Sequence, residues 1–237
     1  VSALGMSPIP GATVTISYTG DPDSPIETLT TDESGQTPEI NLKAPPRELS
    51  LTPDITEQPY SEYNIQVTAE GFETVLVSGS EILAGAYSLQ PIRMNPLDVT
   101  EEEEKVVVIP PHTLFGEYPP KIPEEEIKPM NETGEIVLSR VVIPEYVIVH
   151  DGDPEDPTAR NYWVRYKDYI KNVASSEIYP TWSESAIYAN ILVIQSFTLN
   201  RVFTEWYRGK GYDFTITSST AYDQKWIYGR NVFEEID

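Results

Sequence analysis

The chain has 237 residues, of which 16 are basic and 38 acidic, so its formal net charge at pH 7 is −22. This charge excludes duplex nucleic acid and an anionic membrane surface as expected partners, because both would repel the chain. Cysteine is absent, which excludes disulfides, thiolate metal sites and cysteine nucleophiles. The composition, 39% hydrophobic and 11% aromatic, is that of a folded protein.

Charge is shared unevenly along the chain. Residues 1–140 carry 7 basic and 24 acidic side chains, a net charge of −17, whereas residues 157–230 carry 9 basic and 6 acidic ones, a net charge of +3. Eleven of the 21 prolines fall in residues 91–157. Prolines at this density predict an extended connector rather than long helices or central strands. The acidic runs Glu101–Glu104 and Glu124–Glu126 in this stretch indicate a solvated linker.

We therefore predict a first body over residues 1–97, an acidic connector over 98–140 and a second body over 141–237. Residues 1–10 lack a basic region followed by an apolar stretch, so we expect no export signal there and a chain that begins inside a longer precursor. No apolar run is long enough to span a bilayer.

The first body alternates apolar and polar residues with a period of two, which is typical of strands buried on one face. The predicted strands are 11–18, 63–68, 72–77 and 86–94. Clusters of Gly, Pro, Asp and Ser separate them, which favours a β-sandwich over a βαβ unit. The segment Pro10–Val14, the turn Thr31–Gly35 and the strand pair from Tyr63 to Phe72 resemble the carboxypeptidase-regulatory-like, transthyretin-like sandwich. The resemblance implies a folding, spacing or docking module.

The second body opens with a β-branched run at 141–149, which predicts a strand with Pro144 at an irregular start or an edge. A loop with Gly and Pro follows at 150–157. Its acidic side chains could hold calcium, but the spacing does not match an EF-hand loop, so a solvated turn is favoured. We interpret His150 as a strand-end residue rather than a metal ligand.

A helix is predicted from Lys167 to Glu177, because Ile170, Val173, Ala174 and Glu177 recur at helical spacing. Glu177 thus lies on the apolar stripe, in the last turn before Pro180. Burial and the negative end of the helix dipole should both raise the pKa of this carboxyl group, as proton donation near neutral pH requires. The alternative is a helix-end glutamate that reaches solvent.

A second helix is predicted to begin after the N-cap Ser183 and to end at Gly209. The segment 186–197 is apolar around most of its circumference, so we expect a helix buried in a core. A strand and a polar turn should follow at 212–219.

The segment 169–180, the helix with Ala186 and Ala189, and the later Tyr212–Asp213, Tyr222–Gln224 and Tyr228–Gly229 are similar to the SpoIID family of peptidoglycan lytic transglycosylases. Together with the preceding sandwich, the acidic connector and the start at Val142–Tyr146, the chain resembles spore cortex-lytic enzymes of the SleC type. The resemblance implies an α+β catalytic domain over 141–237, in which Glu177 matches the family's catalytic acid.

The implied reaction uses one carboxyl group, which protonates the leaving oxygen and then deprotonates the C6 hydroxyl of muramic acid to close a 1,6-anhydro ring. The candidate substrate-binding residues supply ring stacking and polar contacts. They are Tyr179, Trp182, Tyr212, Asp213, Tyr222, Asp223, Gln224 and Tyr228. For each aromatic residue, ordinary core filling is the alternative.

The chain departs from the family in two ways. The family carries zinc on cysteines and a histidine in the loop after its tyrosine and aspartate, but 215–222 has neither residue type, so we expect no zinc and no cofactor. The family's catalytic domain also continues beyond the position matching Asp237, so we expect an incomplete domain.

The resemblance further implies a zymogen of the spore cortex or coat region, outside the cytoplasm, that a subtilisin-like germination protease activates. Residues 1 to roughly 140 would be the pre- and pro-sequence, with processing at Arg140, Val141 or Val142. We expect the connector to dock on the second body and hinder its cleft. The alternatives are a catalytically inactive wall-binding or sporulation scaffold of the same fold, and an adhesin-like sandwich protein.

Overall fold

The computed structural model describes residues 1–3, 7–98, 103–123 and 138–236. They form a mixed α/β protein with several sheets and two α-helices. The chain divides into two compact units. The sheet unit comprises Val1–Pro111 and Tyr228–Glu235, and the helix unit comprises His112–Ile227 with Ile236–Asp237, whose last residue lies outside the described part.

A five-stranded sheet dominates the sheet unit, with strand order β2-β1-β3-β4-β6. Its strands are β1 (Thr13–Tyr18), β2 (Asp21–Thr30), β3 (Ser61–Thr68), β4 (Thr74–Ile82) and β6 (Glu104–Val108). The first four pair antiparallel, whereas β6 runs parallel to β4. Along β1 the apolar Val14 and Ile16 are buried, as their alternation with polar residues predicts.

Two strands of this sheet were not predicted. The strand β2 contains Pro22 and Pro25 and is almost wholly exposed, but it lies at the sheet edge, where proline is tolerated. The strand β6 begins inside the acidic run of the predicted linker, so the assignment of Glu104 to a solvated linker is wrong. The valines that follow this glutamate extend the opposite edge of the sheet.

A separate two-stranded sheet pairs β5 (Ser88–Leu89) with β10 (Val232–Phe233). The strand predicted over 86–94 is therefore much shorter than expected. The predicted two-sheet sandwich stays a prediction, since the structure shows one five-stranded and one two-stranded sheet here.

The helix unit contains a three-stranded sheet of order β8-β7-β9 and two α-helices. The elements are β7 (Tyr146–His150), β8 (Asn161–Arg165), α1 (Tyr166–Glu177), α2 (Glu184–Phe203) and β9 (Ile216–Thr217). The strand predicted from 141 begins only after Pro144, and the strand predicted with a polar turn in 212–219 has two residues. The helix ending at Glu177 is confirmed.

The second predicted helix is confirmed at its start, where the Ser183 side chain accepts a hydrogen bond from the Ala186 N–H at 3.4 Å. It ends at Phe203 rather than at Gly209, and Glu205 shortly after it has a positive φ of 46°. The expectation that its apolar segment 186–197 is buried in a core holds for one side of the helix only. Tyr188, Leu192 and Val193 are exposed by 61 to 67%, so only one side of α2 packs into the unit.

The two units divide the chain differently from the predicted domains. The first boundary falls after Pro111, inside the predicted connector, and Tyr228–Glu235 return to the sheet unit although they were assigned to the catalytic body. No helix in the described part of the chain is long and apolar enough to cross a membrane.

Candidate active site

Glu177 is the last residue of α1, and its side chain is directed into the helix unit rather than into bulk solvent. Its Oε1 accepts a hydrogen bond of 2.7 Å from the backbone N–H of Lys225. The residue retains partial exposure. The alternative of a glutamate that escapes to solvent therefore does not hold.

Burial raises the pKa of the Glu177 carboxyl group above its usual value, because desolvation disfavours the charged form. The Lys225 N–H and the positive charge of Lys121 oppose this rise without cancelling it. Among the described residues, no second carboxylate contributes to the rise. Glu177 is thus a carboxyl group biased towards its protonated form by its surroundings.

The segment that holds Glu177 in place is Asp223–Lys225. Gln224 is buried beside the two helices: its Oε1 accepts hydrogen bonds from the hydroxyls of Tyr169 at 3.3 Å and Thr198 at 2.8 Å. Its Nε2 donates to the carbonyl oxygen of Ile194 at 3.1 Å. With both helices fixed to Gln224, the next residue presents its N–H to Glu177.

Asp223 forms a buried cluster with the helix α2 and the strand β9. Its Oδ1 accepts a hydrogen bond of 2.7 Å from Nε of Arg201, and neither side chain is exposed. Its Oδ2 accepts from the hydroxyl of Tyr207 at 2.7 Å and from Thr217, whose N–H and Oγ1 donate at 2.9 and 2.7 Å. These contacts occupy both carboxylate oxygens.

Asp223 and Gln224 were predicted to contact substrate, as polar groups beside a groove. The structure instead places both among protein partners, each buried to more than nine-tenths. Arg201, which was not predicted, lies between Phe197 and Trp206, with its guanidinium 4.5 and 4.3 Å from the ring centroids. A lone arginine in an apolar helix was the available signal, since a buried charge needs a partner.

The middle of the predicted connector, residues 112–123, belongs to the helix unit and contacts the surroundings of Glu177. We call it the strap. Its first residue, His112, is fully buried and lies against the ring of Tyr179 with a centroid distance of 4.5 Å. Thr113 donates from its N–H and its hydroxyl to the carbonyl oxygen of Ser176, at 3.3 and 2.7 Å.

The second half of the strap contacts the segment that positions Glu177. Lys121 donates to the carbonyl oxygen of Asp223 at 2.9 Å, and the N–H of Ile122 donates to that of Ala221 at 2.8 Å. The ammonium group of Lys225 lies 5.4 Å from the ring centroid of Tyr118. The strap thus contacts Ser176 and Tyr179, which lie beside Glu177 in the chain. It also contacts Asp223 and Lys225, in the segment that supplies the hydrogen bond to Glu177. The acidic run Glu124–Glu126 that follows it lies outside the described residues.

Two of the predicted aromatic contacts lie next to Glu177 in the chain. Tyr179 is buried beneath His112 and meets the ring of Trp182 edge-on, with centroids 6.3 Å apart. Trp182 is partly exposed. Tyr222 is also partly exposed, and its carbonyl oxygen accepts a hydrogen bond from Arg201 at 3.4 Å.

Tyr212 and Asp213 lie by the loop that follows β7. The Tyr212 hydroxyl donates to the carboxylate of Glu155, and the exposed Asp213 accepts from Asn161 Nδ2 at 2.8 Å. His150 ends β7, as expected, and its ring stacks on Phe214 at 4.3 Å. Among the described residues, no group of three or more His, Cys, Asp or Glu side chains could hold a metal ion.

Tyr228 is assigned to a different unit from Glu177. It belongs to the sheet unit, where its hydroxyl accepts a hydrogen bond of 2.6 Å from Lys105. The predicted processing residues Arg140, Val141 and Val142 are exposed and in no helix or strand. Exposure and irregular backbone are what a protease requires.

Comparisons with protein-family models, with curated proteins and with solved structures found no match.

Proposed function

We propose that the chain is a peptidoglycan lytic transglycosylase of the spore cortex, held as a latent precursor, with Glu177 as its catalytic acid. The observation that carries the proposal is the environment of Glu177. Burial raises the pKa of this carboxyl group, while one oxygen is oriented by the Lys225 N–H. A carboxyl group with a raised pKa and a fixed orientation suits protonation of a glycosidic oxygen.

In the proposed reaction, Glu177 gives its proton to the glycosidic oxygen as the bond from that oxygen to C1 of muramic acid breaks. The resulting carboxylate takes the proton of the C6 hydroxyl, whose oxygen bonds to C1. The products are a 1,6-anhydro sugar and a free hydroxyl on the leaving sugar, without consumption of water. Hydrolytic glycosidases generally need two carboxyl groups, whereas burial rather than a carboxylate neighbour raises the pKa of Glu177 among the described residues.

Latency fits the position of the strap. Its contacts with Ser176, Tyr179 and Lys225 are made to the residues that flank and orient Glu177. A glycan reaching the carboxyl group would compete with these contacts. Cleavage by a subtilisin-like germination protease in the exposed stretch at Arg140 would free the end of the connector and permit its displacement.

The test compares intact and cleaved chain on purified spore cortex peptidoglycan, with the released products identified by mass spectrometry. We expect 1,6-anhydro-muramic products from the cleaved chain and much less from the intact one. Glu177→Gln should lower the rate by roughly 10²–10⁴-fold, the range that general acid catalysis supplies. The matched control is Glu184→Gln, an exposed glutamate in the first turn of the next helix, which should leave the rate unchanged.

Two results would contradict this proposal. Products with ordinary reducing ends would indicate a hydrolase, and unchanged product release by Glu177→Gln would remove the catalytic role of this residue. Glycan binding without any product from the cleaved chain would favour the alternative of a wall-binding or sporulation scaffold. The buried contacts of Asp223 and Gln224, which leave them no side-chain role at a groove, favour that alternative.

A further inference from the structure

The sheet unit is built from two stretches of chain separated by residues His112–Ile227 of the helix unit. The second stretch, Tyr228–Glu235, has only eight residues, and we call it the return segment. It contacts the first stretch along its entire length. Its binding surface consists of Glu81, Tyr87–Gln90 and the β6 residues Lys105 and Val107.

A buried ion pair lies at the centre of this contact. The Arg230 guanidinium donates to Oε2 of Glu81 at 2.7 Å, and neither side chain is exposed. Asn231 brackets the same residue: its Oδ1 accepts from the Glu81 N–H at 3.1 Å, and its Nδ2 donates to the Glu81 carbonyl oxygen at 2.8 Å. Substitution of either side chain would leave the other one buried and unpaired, so this contact can be tested by substitution.

Backbone pairing extends the contact on one side of the ion pair. The strand β10 pairs with β5, with Val232 opposite Leu89 and the buried Phe233 opposite Ser88. The N–H of Glu234 then donates to the carbonyl oxygen of Tyr87 at 3.1 Å. The two strands form a sheet of their own, so main-chain hydrogen bonds bind the return segment to β5.

On the other side, Gly229 fits closely against β6. A Cβ atom at this position would lie 2.8 Å from Val107 Cγ1, and the φ of +72° also favours glycine. The Gly229 carbonyl oxygen accepts from Gln90 at 2.8 Å, and Tyr228 accepts from Lys105. The binding surface is therefore shaped for this sequence and for no bulkier residue at position 229.

We propose that residues 1–140 remain bound to the rest of the chain after hydrolysis of the peptide bond following Arg140, because the return segment stays in its binding surface on the sheet unit. The N-terminal part is then a non-covalent subunit of the cleaved protein rather than a leader that departs. This inference does not depend on the proposed function, since any cleavage between the two stretches leaves the same contact.

The experiment inserts a site-specific protease sequence after Arg140 in the full chain, cleaves it and follows both fragments by size-exclusion chromatography at decreasing concentration. We expect the two fragments to elute together. Hydrogen exchange gives a second readout in the same sample: the Glu81 amide, which donates to Asn231, should keep its protection after cleavage. Separate elution of folded fragments, or loss of that protection, would overturn the inference.

Variants of the return segment test whether it is the contact that holds the two fragments together. Arg230→Met leaves Glu81 buried without its partner and should weaken retention by about a hundredfold or more. The double variant Arg230→Met with Glu81→Leu replaces both charges by apolar groups and should recover most of it. The control Glu234→Ala, at an exposed side chain, should not change it. Equal retention in Arg230→Met and wild type would show that another contact holds the fragments, and would overturn the assignment.

Discussion

Two carboxyl groups of the helix unit, those of Asp223 and Glu177, differ in their hydrogen-bond partners. They differ although Asp223 is only two residues before Lys225, whose N–H donates to Glu177. Both oxygens of Asp223 accept hydrogen bonds, and a buried arginine neutralises its charge. Glu177 has one hydrogen bond, to a neutral backbone N–H, and no arginine partner among the described residues. The difference separates a carboxylate that is fixed by the fold from a carboxyl group that is available for proton transfer.

The sheet unit supports the same distinction. Glu81 resembles Asp223, because it is fully buried and paired with an arginine from a distant part of the chain. Burial alone therefore does not mark a functional carboxyl group. Burial without an arginine partner does, and Glu177 meets that description among the described residues.

The largest expected effect is the removal of Asp223. Asp223→Ala leaves Arg201 buried without its partner, and we expect a loss of about 3–5 kcal/mol in the free energy of unfolding. Urea denaturation followed by tryptophan fluorescence measures it, since all four tryptophans lie between residues 163 and 226. The control Asp213→Ala, at an exposed aspartate, should change this free energy by less than about 0.5 kcal/mol. Equal losses in the two variants would contradict the structural role of Asp223.

A smaller loss should follow removal of one hydrogen bond to Asp223. Tyr207→Phe deletes only the hydroxyl that donates to Oδ2, and hydrogen bonds to charged groups contribute about 1.5–3 kcal/mol. The pKa of Tyr207 is raised, chiefly by burial and then by the Asp223 charge, so the phenol keeps its proton at all working pH values. Tyr188→Phe, at an exposed tyrosine of α2, is the control in the same denaturation series. A gain in stability for Tyr207→Phe would overturn this assignment.

For Glu177 we expect a substitution that removes the charge to stabilise the protein rather than to destabilise it. Its folded-state pKa lies above the ordinary value of 4.5, so the folded state holds a proton that the unfolded state releases, and stability falls as the pH rises above 4.5. Glu177→Gln keeps an oxygen for the Lys225 N–H but has no charge to bury. Its melting temperature should equal that of the wild type below pH 4.5, exceed it by a growing margin as the pH rises, and keep a constant margin above the raised pKa.

Melting curves recorded across this pH range test the expectation, with Glu184→Gln as the control for loss of an exposed charge. A melting temperature of Glu177→Gln below that of the wild type at pH 7 would mean that the charged carboxylate stabilises the fold. The contrast with Asp223 would then disappear.

The smallest effect concerns Lys121 of the strap. Its charge lowers the pKa of Glu177 against the effect of burial, so Lys121→Met should raise that pKa further. Carboxyl ¹³C chemical shifts, assigned by comparison with Glu177→Gln, follow the titration in the full chain. Lys210→Met, at an exposed lysine of the same unit, is the control and should leave the pKa unchanged. A fall in the pKa on loss of Lys121 would contradict the contact between strap and site.

Local periodicity explains which parts of this site could be predicted. The helix ending at Glu177 follows from apolar residues at helical spacing, and the cap at Ser183 follows from its position before them. The pairing of Asp223 with Arg201 could not be predicted, because it depends on how α2 lies against a later segment. The strap has three prolines, one glycine and no period, so nothing in its pattern indicated that it packs beside Glu177.

The same limit applies to the fold. The alternation of apolar and polar residues predicted β1 and β3, because neighbouring elements bury one face of each strand. The strand β2 is exposed on both faces and carries no such pattern. The exposed face of α2 has an apolar composition that ordinarily predicts burial, and composition alone does not say which side is covered. The return segment is too short for any periodicity, and only the fold reveals its place beside β5.

The return segment also has a consequence for biosynthesis. Glu81 and Arg230 are 149 residues apart, so their pairing closes a long loop that contains the helix unit. During translation the first four strands can emerge and pair while the ribosome is still synthesising that loop, but the last strand of the unit arrives only when residue 233 has been made. Closure over such a separation is slow compared with local pairing. The strand β5 and the carboxyl group of Glu81 therefore stay uncovered on the nascent chain until the return segment has been made.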